Sequence, residues 1–264
     1  MIFLNNEKIE IRKFPNGESF IDSYNIRISD EKNVIKVKFE SDSDLMHLIF
    51  LKNHLDEMMV KCHLVIPYMP YSRMDRTEGV RLFTLKYICK IINDLKFETV
   101  TVYEPHSDVT VALLDRVIVV NKTKELVEKT IKNFSDEELF LVYPDSGAEK
   151  RYSKQINYNK ILVASKERDF KTGRIKSLSI SENIEVNKGF IAIIVDDLCS
   201  KGGTFILTAE KLRDMGAKDI YLVVTHCENT IFDGDILKSD LIKKVYTTDS
   251  ILSRECEKIE IEKI

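Results

Sequence analysis

The chain lacks any pair of cysteines at the spacing of a zinc ribbon or a redox motif: its five, Cys62, Cys89, Cys199, Cys227 and Cys256, stand well apart. A disulfide framework or a structural zinc site is not expected, and a reducing, cytoplasmic compartment is the simpler reading. Long apolar runs are missing too. No stretch approaches the roughly 20 apolar residues of a bilayer span, and the opening MIFLNNEKIE holds only a three-residue apolar run, too short for a signal peptide. No membrane partner is expected. Nor does either sign of charge dominate, since 40 Lys and Arg face 43 Asp and Glu for a net charge of −3. A general nucleic-acid binder is expected to be basic, so nucleic acid is set aside as a partner. Anionic substrates must then be met by local Lys and Arg side chains and by metal.

What is present is an alternation of strands and helices. With 264 residues, 44% of them hydrophobic, the chain can bury a substantial core, and its length permits two halves of roughly 120 residues. KIEIRKF, ESFID and NVIKVKF read as early strands; Asp42 to Val60 has apolar spacing compatible with a helix, and HLVIPY is a strand. TLKYICKIINDLK is amphipathic, with Leu85, Ile88, Ile91, Ile92 and Leu95 near one face, and TVTVY follows it. RVIVV, the helix around KELVEKTIKNF, ELFLVYP, KILVAS, FIAIIVDD, a further helix and DIYLVVTH continue the pattern. Nearly continuous apolar strands joined by helices imply an α/β fold with parallel sheets covered on both faces. Two domains are expected, 1–125 and 126–264, with the packing of the tail after Asp249 left open between the second half and the first.

The most informative stretch is IAIIVDDLCSKGGT. An apolar strand ends in the adjacent carboxylates Asp196 and Asp197, passes Cys199, Ser200 and Lys201, and enters a helix through Gly202, Gly203 and Thr204. A strand end, a glycine loop and a helix N-terminus bring backbone N–H groups together on an anion. Adjacent acids point to opposite sides of a strand, so one would be desolvated unless a ligand, metal or donor answers it. The pair suits sugar hydroxyls or a hydrated magnesium ion, and the whole points to a phosphorylated ribose.

VDDLCSKGGT resembles the VDD-x-x-x-T-G-G-T signature of type I phosphoribosyl proteins, and the rest of the chain resembles the ribose-phosphate pyrophosphokinase family. KFPNGES is similar to that family's FSDGE segment, VIPYMPYSRMDRT to its IPYF-x-YARQDR segment and TVYEPHSD to its TVDLHA segment. VYPDSGAEKR is similar to its SPD-x-G segment, and VASKERD to its catalytic-loop K-x-R. These landmarks stand in the family's order from about Phe14 to about His226. The resemblance implies two tandem phosphoribosyltransferase-like domains, each a mostly parallel sheet flanked by helices. It also implies an enzyme that passes the diphosphate of ATP to the anomeric hydroxyl of a 5′-phosphorylated ribose and releases AMP.

Carried over residue by residue, the resemblance makes Lys166 and Arg168 the catalytic-loop cations, set in a polar segment containing Gly173 that would close as a lid; an exposed charged hairpin is the plainer alternative. His106 and Asp145 match the magnesium-associated residues, His106 also being placed to donate to phosphate. Phe14, Asn16 and Glu18, with Arg73, Met74, Asp75 and Arg76, match the ATP site. An aromatic ring can stack on adenine, a carboxylate can accept its amine, and an arginine can straddle phosphate oxygens. The first of these segments serves a neighbouring subunit in relatives, which implies a homo-oligomer. Asn-Gly is also a strong turn signal, so a plain hairpin is the alternative reading of KFPNGE.

Departures from the pattern bear on the acceptor. Ser200 and Lys201 stand where relatives carry Asp-Thr, Asn16 where they carry Asp, Met74 where they carry Gln, and Glu104-Pro105 where they carry Asp-Leu. A lysine in the loop adds reach and charge suited to a larger anion, so the expected acceptor is ADP-ribose, as in a divergent branch of the family, with ribose 5-phosphate as the alternative. A phosphoribosyltransferase, or a non-catalytic regulatory homologue, stands further back.

Overall fold

In a computed structural model the described residues are 1–77, 79–134, 137–168, 175–180 and 189–264, with backbone alone described at 25, 166–168 and 175–177. Contacts divide the chain into two compact units, Met1–Val120 and Asn121–Ile264. The division falls ahead of a helix that begins at Lys122, so that helix belongs wholly to the second unit.

The first unit contains β1 (Ile2–Leu4), β2 (Glu7–Lys8), β3 (Ile11–Lys13), β4 (Ser19–Ile21), β5 (Asn33–Val37), α1 (Ser43–Glu57), β6 (Cys62–Ile66), α2 (Thr84–Asp94), β7 (Val100–Tyr103), α3 (Asp108–Leu113) and β8 (Val117–Val120). Strands β5 to β8 run parallel in order, β1 and β2 add antiparallel on the β5 side, and β3 with β4 forms a separate hairpin. Helix α2 keeps its apolar stripe inward: Leu85, Cys89 and Ile92 are buried with Leu64, Ile66, Val100 and Val102 of the sheet. Strands β5 and β6 alternate buried with half-buried positions, so covering of this sheet on both faces is less complete than the apolar runs suggested.

The second unit contains α4 (Lys122–Ile131), β9 (Leu139–Tyr143), α5 (Ser146–Tyr152), β10 (Ile161–Arg168), β11 (Ile175–Ile180), β12 (Ile191–Cys199), α6 (Gly203–Asp214), β13 (Asp219–Cys227), β14 (Lys244–Thr248) and β15 (Ile259–Glu262). Its sheet has the order β11-β10-β9-β12-β13-β14-β15, parallel except for β11. Successive residues of a strand face opposite sides. Accordingly Phe140, Val142, Ala192, Ile194, Leu222 and Val224 pack in one core with α6, while Leu141, Tyr143, Ile193, Val195 and Val223 pack in another with α4 and α5. Each such aliphatic side chain contributes about 1.5–3 kcal/mol by leaving water. Two cores on one sheet explain why β9 and β12 are apolar at every position up to their polar ends.

The tail belongs to this unit. Strand β15 pairs parallel with β14, and Glu262 takes Lys122 at 2.5 Å and Lys129 at 3.1 Å. The hydrogen bond from Lys122, followed by that from Lys129, holds the Glu262 carboxyl below its ordinary range. The tail, whose packing the sequence left open, thus supplies the edge strand of the second sheet. Among the described residues no helix is long and apolar enough to cross a membrane.

Candidate functional site

In the second unit the chain leaves β9 for β10 on one side and later returns to β12 on the other, so β9 and β12 flank a point where strand order reverses. Ligands of open α/β sheets bind outside the carboxyl ends of strands at such a point. Asp145 follows the end of β9, and Asp196 and Asp197 lie near the end of β12.

Asp145 caps α5, its Oδ1 accepting the Ala148 N–H at 3.0 Å. From the same helix Arg151 sends Nη1 to 3.1 Å from Oδ2 of Asp197, which is buried. Burial opposes the charge on Arg151, but Asp197 and Tyr152 together outweigh it and hold the guanidinium pKa above its ordinary value. Asp196 has no such rescue. Burial, then the charge of Asp197, raises its carboxyl well above the usual range, and Asp145 adds to the effect from further off. Its Oδ1 accepts the N–H of Asp197 at 2.9 Å. Of these carboxylates Asp197 alone meets the guanidinium, and Arg151 is a member of the site that sequence reasoning missed. The only sequence signal was its place in VYPDSGAEKR, a segment from which Asp145 alone was taken.

The loop that follows is built from backbone. Gly202 has φ +82°, in the left-handed region open to glycine, and α6 starts immediately behind it. The first N–H groups of any helix have no intrahelical acceptor, so those of Gly203 and Thr204 face out of the helix start. A Cβ on Gly203 would meet nothing within 4 Å, whereas one on Gly202 would lie 2.1 Å from Cδ1 of Ile236. Lys201 is exposed. Cys199 is different in kind: its side chain is fully buried in the core, and a hydrogen bond with Cys227, then burial, raises its thiol pKa well above the ordinary value. Its use to a ligand is limited to its backbone. Ser200 donates to Oε2 of Glu228 at 2.7 Å and lies 3.0 Å from the hydroxyl of Thr230. Glu228 and Thr230 had no sequence signal.

Lys166 and Arg168 lie on strand β10 near its end, where it pairs antiparallel with β11 and the register shifts between Glu167 and Arg168. The lid expected there is, in its described backbone, the arms of a hairpin; Gly173 and the rest of 169–174 lie outside the described residues.

In the first unit, Phe14, Asn16 and Glu18 share the tip of the β3–β4 hairpin. Gly17 N–H bonds to Phe14 O at 2.8 Å with Gly17 at φ +93°, and Phe14 N–H bonds to Glu18 O at 2.9 Å. This is a turn with a glycine bulge. Asn16 donates its amide to Glu18 Oε2 at 2.8 Å, and the Phe14 ring, 52% exposed, stacks obliquely on Phe20 at 4.6 Å. Arg73, Met74, Asp75 and Arg76 occupy the loop after β6, with Asp75 3.6 Å from Arg76 Nε. Half-buried His106 stands after β7, the neighbouring strand. The loops that follow these two strands each carry a non-glycine residue at positive φ, Tyr71 at +59° and buried Glu104 at +37°. Such backbone costs about 1–3 kcal/mol per residue and gathers at functional sites. Asp145 and His106, paired by the sequence as metal neighbours, belong to separate units. Among the described residues no group of three or more His, Cys, Asp or Glu is placed to hold a metal ion.

The sequence model of a family described as "Phosphoribosyl synthetase-associated domain" matches residues 172–264. The chain is 30% identical over 224 residues to a curated ribose-phosphate pyrophosphokinase of Pyrococcus abyssi, covering 83% of this chain and 75% of that protein. To the protein of the same name from Pyrococcus furiosus it is 31% identical over 227 residues, covering 83% and 77%. In fold it is similar to the crystal structure of phosphoribosylpyrophosphate synthetase from Mycobacterium smegmatis, with a TM-score of 0.77 over 97% of this chain and 86% of that one at 20% identity.

Two outcomes are expected of the geometry itself. A carboxyl raised on folding adds stability below its unfolded pKa and forfeits it as pH rises through the folded value. Asp196→Asn, which keeps the acceptor for the Asp197 N–H, should therefore be more stable to urea than the parent at pH 8, the difference shrinking toward pH 5. A difference independent of pH would contradict the assignment. Gly234 has an ordinary φ, but a Cβ there would sit 2.0 Å from the Lys201 carbonyl oxygen. Gly234→Ala should cost about 2 kcal/mol by overpacking, read as a lowered melting temperature.

Proposed function

The chain belongs to the ribose-phosphate pyrophosphokinase family, and from that premise we propose that it transfers the β,γ-diphosphate of ATP to the anomeric hydroxyl of ribose 5-phosphate, releasing AMP. The observation that carries this reading is the carboxylate pair Asp196-Asp197 leading directly into the amide loop at the switch point of the second sheet. A ribose offers hydroxyls to the first and an anionic phosphate to the second.

Ribose 5-phosphate replaces ADP-ribose as the acceptor. The curated relatives are named ribose-phosphate pyrophosphokinases, and the Ser200 hydroxyl, half of the loop change that suggested a larger anion, is bonded to Glu228.

The roles follow from chemistry. Phosphoryl transfer needs alignment of attacking and leaving oxygens and positive charge around the moving group. The backbone N–H groups of Lys201 to Thr204 hold the 5-phosphate, and Asp196 and Asp197 accept from ribose hydroxyls. Lys166 and Arg168 steady the diphosphate as it moves. Arg73 and Arg76 meet the ATP phosphates, His106 donates to them, and Phe14 offers its exposed face to adenine beside Met74, Asp75, Asn16 and Glu18. Exposure of Phe14 on a hairpin tip supports its serving a nucleotide held by a second copy of the chain, hence a homo-oligomer.

Magnesium fits the donor set in kind. Asp145 and Asp196 are hard oxygen donors, and the raised Asp196 carboxyl is a group whose charged form a cation would favour. Bound there, the ion would neutralise phosphate charge while water completes its coordination.

The deciding measurement is AMP formation from ATP and magnesium with ribose 5-phosphate, with ADP-ribose, and with neither. AMP is expected with ribose 5-phosphate. Turnover confined to ADP-ribose would reverse the choice of acceptor, and AMP release indifferent to both would remove the transferase. Lys166→Ala should lower kcat by roughly two to three orders of magnitude, as loss of a transition-state charge contact does, with the far-ultraviolet dichroism unchanged. A loss under tenfold would mean that the cation is misassigned.

A further inference from the structure

Taking the sugar-phosphate reading of loop 200–204 as its basis, we infer that Glu228 is the positioning residue of that loop and sets acceptor affinity through Ser200 rather than by contact with the acceptor. Glu228 follows the end of β13, the strand next to β12, and the pairing of Cys199 with Cys227 brings the two strand ends level. Its N–H donates to the Cys199 carbonyl at 2.8 Å. Its Oε2 accepts from Ser200 at 2.7 Å and from Thr230 at 2.9 Å.

Each hydroxyl has one proton. With both directed to the carboxylate, Ser200 has none left to give a phosphate, and the 3.0 Å approach of Ser200 to Thr230 is that of two donors converging on one acceptor. Ser200 is therefore a strut of the loop. Two further contacts from the same segment hold the next two positions. Gly234 lets the chain pass against the Lys201 carbonyl, and Ile236 lies against the α-carbon of Gly202, where a Cβ would collide with it. Residues 200, 201 and 202 are thus each supported by the stretch 228–236, and only the first of these supports is a charge-assisted hydrogen bond, about twice as strong as a neutral one. Holding amides in place before the anion arrives lowers the ordering cost of binding.

The test is calorimetric binding of ribose 5-phosphate to the full chain and its variants, with steady-state KM for both substrates. Glu228→Ala should raise the Kd and KM for ribose 5-phosphate about tenfold, with KM for ATP changed less than twofold and kcat lowered less than threefold. Glu228→Gln keeps an acceptor oxygen and should stay within threefold of the parent in Kd. Ser200→Ala should weaken binding by itself yet add nothing to Glu228→Ala, because the two act in series. Should Glu228→Ala fail to fold, Thr230→Val, which removes one of the two donors, should still raise the Kd about threefold.

Tighter binding in both Glu228 variants would make the carboxylate a mere repulsive charge and overturn the inference. A kcat loss of orders of magnitude would place Glu228 at the reacting atoms and overturn it equally, as would a Kd unmoved by Glu228→Ala. A parent that binds ribose 5-phosphate but forms no AMP would refute the proposed reaction and leave Glu228 judged on the binding ratios. A parent that does not bind it refutes both.

Discussion

The contact between Arg151 and Asp197 is the constraint around which the second unit is arranged. Strand β12 runs through a sheet buried on both faces and still delivers two carboxylates at its end. Charge in such a place persists only if it is answered. One guanidinium, on the helix after the neighbouring strand, answers Asp197 and leaves Asp196 with a raised carboxyl. That buried carboxyl, whose charged form is disfavoured until a partner answers it, stands beside the N-terminus of α6 and gives the site its chemical character. It suits a ligand that brings hydroxyl donors and a cation to one end and a phosphate to the other.

Rigidity is distributed unevenly. Behind the amide loop, the segment 228–236 touches three successive residues, and two glycines permit approaches that no other side chain would allow. In the first unit, constraint takes another form. The loop carrying Arg73 to Arg76 and the turn before His106 each begin near a non-glycine residue at positive φ. The aromatic Phe14 stands on a hairpin whose turn is set by local hydrogen bonds. A phosphate pocket made of main-chain groups needs a fixed backbone, because amides cannot reorient without moving the chain. Side chains that meet a nucleotide can be carried on turns.

The segment KFPNGE shows how two readings coexist: the backbone is the hairpin that Asn-Gly announces, and the same turn exposes the ring assigned to a nucleotide. At Lys166 and Arg168 the sequence offered a closing lid with a charged hairpin as the alternative, and their backbone pairs with β11, Lys166 opposite Leu178 and Arg168 opposite Ile175. The short strands β1, β14 and β15 were passed over because three to five residues carry too little pattern.

Composition, periodicity and motif spacing determined the class of fold, the run of parallel strands, the amphipathic face of α2 and the strand–glycine–helix turn after Asp197. Those features depend on neighbours within a few residues, whose spacing is written in the chain. Tertiary structure decided the rest: that Arg151 answers Asp197, that Cys199 turns into the core, and that Ser200 is bonded to a carboxylate 28 residues away. Partners of this kind are set by which strands lie side by side and in what register, and a buried charge selects its counter-ion only once the sheet has brought the two within reach.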